Sequence, residues 1–136
     1  MFKGSTKVEK LSPGGSVAIE TALDMSLGKN DKLAGNLVSR VGGLPEPRRK
    51  IKLRYTLFPK VFGLAEEMEV EPLKQGELLM LSINTSITGG NIEEVKEGEV
   101  VVNLRVPAVF FPNDTIGIAR NIRGHWRLIG YGESIE

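Results

Sequence analysis

The chain has 136 residues, no cysteine, and 18 basic against 17 acidic side chains, which gives a formal net charge of +1 at pH 7. The length suits one domain, or one domain with part of another, and the lack of cysteine excludes disulfides, thiolate chemistry and cysteine-ligated zinc. A nearly neutral chain has no overall basic field, so any contact with nucleic acid must come from local clusters.

The first part of the chain is predicted to contain short strands separated by turns. A strand is predicted at residues 17–22, and a long extended run at residues 32–41. Two glycines and two prolines within residues 42–47 then mark a boundary, because these residues interrupt a strand ladder. We therefore divide the chain into residues 1–44 and residues 45–136.

The stretch after this boundary alternates charged and apolar side chains. Residues 50–58 therefore predict a half-buried strand, since successive side chains of a strand point to opposite faces. Its apolar face holds Ile51, Leu53, Tyr55 and Leu57. Its other face holds Lys50, Lys52, Arg54 and Thr56, so we expect a basic outer surface there.

The rest of the chain predicts further short strands with glycine or proline at their junctions. The predicted elements are strands at residues 77–84, 92–96, 99–106, 116–122 and 125–133, with a turn at residues 88–91. Residues 58–72 form a connection that has room for only a short helix near residues 64–68. This spacing is typical of a small antiparallel barrel or sandwich, so we expect an all-β fold.

Catalytic and metal-binding motifs are scarce. The sequence has no phosphate-binding loop of either common type, and its one histidine leaves only carboxylates as further metal ligands. We interpret His125 as a surface or packing residue, with a general base as the alternative. Trp126 suits core or interface packing, with base stacking as the alternative.

Charged clusters allow two interpretations each. The basic clusters are Arg48, Arg49, Lys50, Lys52 and Arg54, and then Arg120, Arg123 and Arg127. They form either solvated surface or, if they share one face, a site for RNA phosphates. The acidic residues Glu66, Glu67, Glu69 and Glu71 form either a solvated loop or a protein interface.

The closing segment carries a resemblance to a known family. Residues 124–132, Gly-His-Trp-Arg-Leu-Ile-Gly-Tyr-Gly, resemble the G-x-x-W-R-(L/M)-I-G-(W/Y)-G segment of the gamma subunit of archaeal and eukaryotic translation initiation factor 2. Residues 13–24, beginning Pro-Gly-Gly, are similar to another segment of that family. Further similar segments lie in order at residues 32–36, 44–45, 55–63, 79–90 and 116–120.

The resemblance implies a fold and a role. It implies a barrel like the third domain of elongation factor Tu, preceded by the last strands of a second, incomplete barrel. The implied role is a non-catalytic module that supports delivery of initiator methionyl-tRNA to the small ribosomal subunit. The alternative is a barrel that packs on a GTPase domain or partner subunit without contacting RNA.

The resemblance also implies partners and contact residues. Expected partners are initiator tRNA, small-subunit ribosomal RNA, the GTPase domain, and the alpha and beta subunits. We expect no DNA or membrane partner and a cytoplasmic location. GTP and magnesium would belong to the GTPase domain, so no cofactor is expected here. The RNA contacts expected from the resemblance are Arg120, Arg123, His125 and Arg127. From the residue pattern itself, Arg48, Arg49 and Lys50 are further expected RNA contacts, and Phe110, Phe111 and Trp126 are expected packing residues.

Overall fold

The computed structural model describes residues 1–135, which fall into two compact units, residues 1–33 and residues 34 onward. The first unit contains strands β1 (Phe2–Lys3) and β2 (Thr6–Lys7) and a 3₁₀ segment, Met25–Asp31. Asp24 begins this segment and accepts a 2.7 Å hydrogen bond from the amide of Ser26. Hydrogen bonds from Ser26 hold the pKa of Asp24 below its usual value.

Two strand predictions in the first part of the chain are wrong. Residues 17–22 form a single bridge, between Ala18 and Phe2, and residues 32–41 form turns and irregular backbone. Strands are stabilised by side-chain pairs with a neighbouring strand, and residues 32–41 have no such neighbour in the described chain. Val38 and Val41 are accordingly almost fully exposed, at 91% and 107%.

The second unit contains a closed antiparallel barrel of six strands, which confirms the all-β prediction. The strands are β3 (Arg48–Leu57), β4 (Leu78–Ile83), β5 (Ser86–Lys96), β6 (Glu99–Ala108), β7 (Thr115–Ile122) and β8 (His125–Ser134). They are hydrogen-bonded in the order β3-β6-β5-β4-β7-β8, and β8 returns to pair with β3. Closure removes the unpaired edges that an open sheet would present.

Alternating apolar residues fill the barrel. Ile51 and Leu53 of β3 are at most 1% exposed, as the alternation of this strand predicts. The other side chains that are almost fully buried include Leu79, Leu81, Ile83, Val100, Val102, Leu104, Phe110, Ile116, Ile118 and Ile129. Gly130 faces β3 so closely that an added Cβ would meet the carbonyl oxygen of Thr56 and lie 3.0 Å from the Cα of Leu57.

The turn predicted at residues 88–91 is wrong, because these residues lie inside β5. The chain reverses instead between β4 and β5, where Asn84 adopts a φ of +52°. Asparagine tolerates this left-handed backbone better than most residues. Its side-chain amide donates to the carbonyl of Val109 at 3.1 Å and to Asp114 Oδ2 at 3.0 Å.

The segment between β3 and β4 forms no helix, so the short helix considered near residues 64–68 is not present. One isolated bridge joins Lys60 and Glu69. Val61 and Leu73 of this segment are buried in the core, and three further apolar side chains pack partly against it. The segment, residues 58–77, is called the capping loop below because it covers part of the barrel core.

Candidate nucleic-acid interface

The first basic cluster runs along β3 from Arg48 to Arg54, whereas the second surrounds the β7–β8 turn. Arg48, at the start of β3, pairs with Ala108 at the end of β6, whereas Leu57, at the end of β3, pairs with Gly130 of β8. The β7–β8 turn lies beyond that second end, because Phe58 donates to the carbonyl of Ile129. The clusters therefore do not merge into one continuous patch.

Arg120 is held inside the protein. Its side chain is 16% exposed and forms an ion pair with Glu77. Its Nη1 donates to the carbonyl of Glu71 at 2.9 Å, and its Nη2 to the carbonyl of Pro72 at 3.3 Å. Nε, Nη1 and Nη2 of Arg120 are therefore all hydrogen-bonded to residues of the capping loop.

Arg127 also contacts the capping loop. Its Nη1 donates to the carbonyl of Gly63 at 2.9 Å, across 64 residues of sequence. Its Nε is the one buried side-chain nitrogen or oxygen of residues 1–135 that has no hydrogen-bond partner. Because Nε is buried, Arg127 presents only part of its guanidinium outward.

Arg123 and His125, in contrast, are exposed at the turn between β7 and β8. Ile122 pairs with His125, which leaves a two-residue loop in which Arg123 and Gly124 have φ values of +53° and +83°. Positive φ at both positions is typical of a type I′ turn, where asparagine followed by glycine is favoured. Arginine in the first position is uncommon, and no ion pair joins Arg123 or His125 to any described residue.

Side chains of the first basic cluster also form contacts within the protein. The guanidinium carbon of Arg48 lies 4.2 Å from the centroid of the Phe110 ring. Arg49 donates through Nη1 to the carbonyl of Arg105 at 2.6 Å, and Lys50 forms a 3.0 Å ion pair with Glu93.

The three predicted packing residues differ in exposure. Phe110 is 2% exposed and packs within its own barrel, whereas Phe111 is 40% exposed and Trp126 is 38% exposed. A broader group of apolar side chains lies outside the barrel near β8, and we call it the apolar outer face. It consists of Phe58, Phe62, Trp126, Leu128 and Tyr131.

A bulge explains why the sequence did not reveal the apolar outer face. Ile118 pairs with Gly130 and Ala119 with Leu128, so Ile129 is an extra residue in β8. The extra residue reverses the alternation, which turns Leu128 outward before it and Tyr131 outward after it. Phe58 lies 5.2 Å from Phe62 and 6.1 Å from Tyr131, measured between ring centroids.

Neither a metal cluster nor a membrane-spanning helix is found in the described part of the chain. Within residues 1–135, no three or more histidine, aspartate or glutamate side chains are grouped so that they could hold a metal ion. In the same range, no helical segment combines the length and apolar character needed to cross a membrane. Within residues 1–135, no hydrogen bond or ion pair joins the His125 side chain to a possible catalytic partner.

Comparison with known proteins gives a consistent match. The family described as "Initiation factor eIF2 gamma, C terminal" matches residues 49–134. The chain is 46% identical to translation initiation factor 2 subunit gamma of Aeropyrum pernix over 129 residues, which are 95% of this chain and 31% of the relative. It is 40% identical to the same subunit of Methanocaldococcus jannaschii and of Pyrococcus horikoshii, with the same coverage. The chain thus spans about a third of the length of these relatives.

Proposed function

The chain belongs to the family formed by the C-terminal part of initiation factor eIF2 gamma, and from this premise we propose that it is a non-catalytic module that contacts RNA during initiation. Membership of the family implies a role in translation initiation. The module would support delivery of initiator methionyl-tRNA to the small ribosomal subunit. Its partners would be that tRNA or small-subunit ribosomal RNA, together with the GTPase domain and the alpha and beta subunits. GTP and magnesium would be bound by the GTPase domain.

The observation that carries the RNA contact is the position of Arg123. It is exposed in a tight turn, forms no ion pair with a described residue, and has a backbone conformation that arginine rarely adopts. An uncommon conformation that the sequence retains without a structural benefit supports a functional role for the side chain. The planar guanidinium can hold a phosphate through two parallel hydrogen bonds.

His125 would extend the same contact. It directly follows the turn, pairs with Ile122 and is exposed. An imidazole N–H can donate to a phosphate oxygen or to a ribose hydroxyl. Arg120 and Arg127 would contribute indirectly, because they bind carbonyls of the capping loop beside the hairpin.

The proposal is tested by RNA binding to Arg123→Asn, since asparagine accepts the turn and lacks the charge. Binding of initiator tRNA and of a small-subunit ribosomal RNA helix is measured by fluorescence anisotropy at several salt concentrations. We expect weaker binding, with a salt slope reduced by about one, which is the loss of one phosphate contact. Arg40→Ala is the matched control, because it removes one exposed charge outside the barrel strands. Equal affinities and slopes in all three proteins would count against this contact.

The apolar outer face favours a second function, docking of the barrel on a GTPase domain or partner subunit. Phe62 is 62% exposed, and Leu128 and Tyr131 are 42% and 43% exposed. Clustered apolar side chains of this kind are typical of surfaces that are covered by a partner. Calorimetry with the separate GTPase domain of a related gamma subunit tests this function.

The variant for that test is Leu128→Glu with Tyr131→Glu. We expect it to abolish binding to the GTPase domain while RNA binding is retained. Ile87→Glu is the control, because Ile87 is a 69% exposed apolar residue on a different strand, β5. If both variants bind the GTPase domain like the unmodified chain, the apolar outer face is not the docking surface.

A further inference from the structure

The outer face of β3, β6 and β5, called the three-strand face below, carries more basic than acidic side chains. Strands β6 and β3 pair directly, as do β6 and β5, so their outward residues form one surface. Its basic residues are Lys50, Lys52, Arg54, Lys96 and Arg105, and its acidic residues are Glu93, Glu94 and Glu99; Arg49 is exposed at its edge, where the ladder between β3 and β6 shifts register. This excess is notable in a chain whose formal net charge is only +1.

The lysines of the three-strand face are all paired with its glutamates. The ion pairs are Lys50–Glu93 at 3.0 Å, Lys52–Glu99 at 3.4 Å and Lys96–Glu94 at 3.1 Å. These exposed pairs contribute little to folding stability. Their electrostatic consequence is that each carboxylate of the face is neutralised by a lysine.

The arginines of the three-strand face carry its remaining positive charge. Arg49, Arg54 and Arg105 are exposed, and none of them forms an ion pair with a described residue. Arg54 lies opposite Glu99 on β6 and Glu133 on β8, but no salt bridge joins it to either carboxylate. Arginine is the residue best suited to phosphate, because its fork matches two phosphate oxygens.

A bulge fixes the orientation of Arg49. The ladder between β3 and β6 shifts register between Arg48 and Lys50, which frees the carbonyl of Arg105 from regular pairing. The Nη1 of Arg49 donates a 2.6 Å hydrogen bond to this carbonyl. One edge of the guanidinium is thereby anchored, so less side-chain entropy is lost when its other donors bind a ligand.

The spacing of the arginines suits an extended ligand. Arg49 and Arg54 are five positions apart on β3, which corresponds to about 17 Å along the strand. The backbone of Arg105, on β6, bonds Arg49, and the Arg105 side chain extends over Gly89 of β5. A single small anion could not contact both ends of this row, whereas the backbone of a nucleic acid presents successive phosphates along such a length.

We propose that the three-strand face binds the phosphate backbone of RNA through Arg49, Arg54 and Arg105. This inference rests on the proposed function as an RNA-contacting module and adds a second contact, distinct from the β7–β8 turn. Arg105 belongs to neither basic cluster of the sequence and joins the site only through the pairing of β6 with β3. The contact is to the backbone, so it is independent of RNA sequence.

The test compares Arg54→Ala combined with Arg105→Ala against the unmodified chain. The probes are a short RNA duplex of arbitrary sequence and initiator tRNA, each titrated at several salt concentrations. We expect both RNAs to bind more weakly, with a salt slope reduced by about two. Lys7→Ala with Lys10→Ala is the matched control, because it removes the same charge from exposed residues outside the barrel. Arg54→Lys with Arg105→Lys should keep the slope and lose part of the affinity, because lysine lacks the fork.

The outcomes separate this inference from the proposed function. If the double alanine variant binds like its control while Arg123→Asn is weakened, the three-strand face is not an RNA site and the proposed function stands. If the double variant is weakened while Arg123→Asn binds normally, the face is an RNA site and the turn is not. If the unmodified chain binds no RNA, both fail. Tighter binding of polyglutamate than of the duplex would overturn RNA in favour of an acidic protein partner.

Discussion

Glu77 and Arg120 form an ion pair that joins the end of the capping loop to β7, with side chains only 18% and 16% exposed. A second bond of the pair runs from Arg120 Nη2 to Glu77 Oε2 at 3.1 Å. The same guanidinium binds the carbonyls of Glu71 and Pro72. Arg120 therefore connects a long irregular segment to the barrel wall at several points.

Replacing Arg120 with alanine should destabilise the barrel by about 3 kcal/mol. The substitution leaves the largely buried Glu77 carboxylate without its ion-pair partner. It also removes the hydrogen-bond donor of two loop carbonyls, and both effects lower the free energy of unfolding. Urea unfolding followed by circular dichroism measures the change. Arg123→Ala is the control, since Arg123 is exposed and its removal should alter stability by less than about 0.5 kcal/mol. Equal stability losses for the two variants would show that Arg120 does not hold the loop.

A single methyl group at Gly130 should disrupt the barrel. The added Cβ would meet the Thr56 carbonyl and lie 3.0 Å from the Leu57 Cα, both of which are backbone atoms of β3 that cannot move alone. We expect Gly130→Ala to cost about 3 kcal/mol or more, or to prevent folding. Gly117→Ala is the comparison, because its Cβ would lie at ordinary distances of 3.5 and 3.6 Å from neighbouring side chains. Thermal unfolding distinguishes them, and similar melting temperatures would contradict the close approach of β8 to β3.

Thr88 should stabilise the barrel through its hydroxyl. Its side chain is 3% exposed, and Oγ1 accepts a 3.2 Å hydrogen bond from the amide of Val106. Thr88→Val keeps the shape but leaves that amide without its partner, which should cost about 1–2 kcal/mol in urea unfolding. Thr56→Val, on the exposed side of β3, should change stability by less than about 0.5 kcal/mol. A neutral result at Thr88 would mean that water or another carbonyl replaces the hydroxyl.

Strands in which charged and apolar residues strictly alternate could be predicted from the sequence. The alternation indicates both that the segment is a strand and which of its faces is buried. Residues 50–58 alternate, and β3 buries Ile51 and Leu53 as expected. The final hairpin was also predicted within a residue at each end, since Gly124 marks its turn. Both depend on local signals, namely period-two burial and turn chemistry.

Glycine was a misleading signal elsewhere. Gly89 and Gly90 suggested a turn, yet they lie inside β5, where a Cβ on Gly90 would come within 2.5 Å of the Val102 side chain. The requirement at Gly90 is close packing against β6, which depends on tertiary structure. In residues 32–41, apolar composition alone suggested a strand, but a strand also needs a neighbour to pair with.

The roles of the arginines could not be separated from the sequence. Arg120 and Arg127 are arginines of the same predicted cluster as Arg123, yet they bind backbone carbonyls between 48 and 64 residues away in the chain. Arg105 lies in no cluster, and its backbone carbonyl accepts a hydrogen bond from Arg49 across 56 residues. Which guanidiniums face solvent is therefore a result of strand pairing and of the path of the capping loop.

At position 123, the residue type that best suits the β7–β8 turn differs from the arginine that we propose binds RNA. Its φ of +53° is a left-handed conformation that asparagine adopts at lower cost, particularly before glycine in a type I′ turn. Arg123→Asn should therefore raise the free energy of unfolding by about 0.5–1 kcal/mol while RNA binding weakens. Arg123→Ala removes the same charge but keeps the backbone strain, so it should weaken RNA binding without the gain in stability. Urea unfolding and salt-dependent RNA titration of both variants measure the two effects. If asparagine instead lowers stability, the arginine supports the turn, and its unusual backbone no longer argues for contact with RNA.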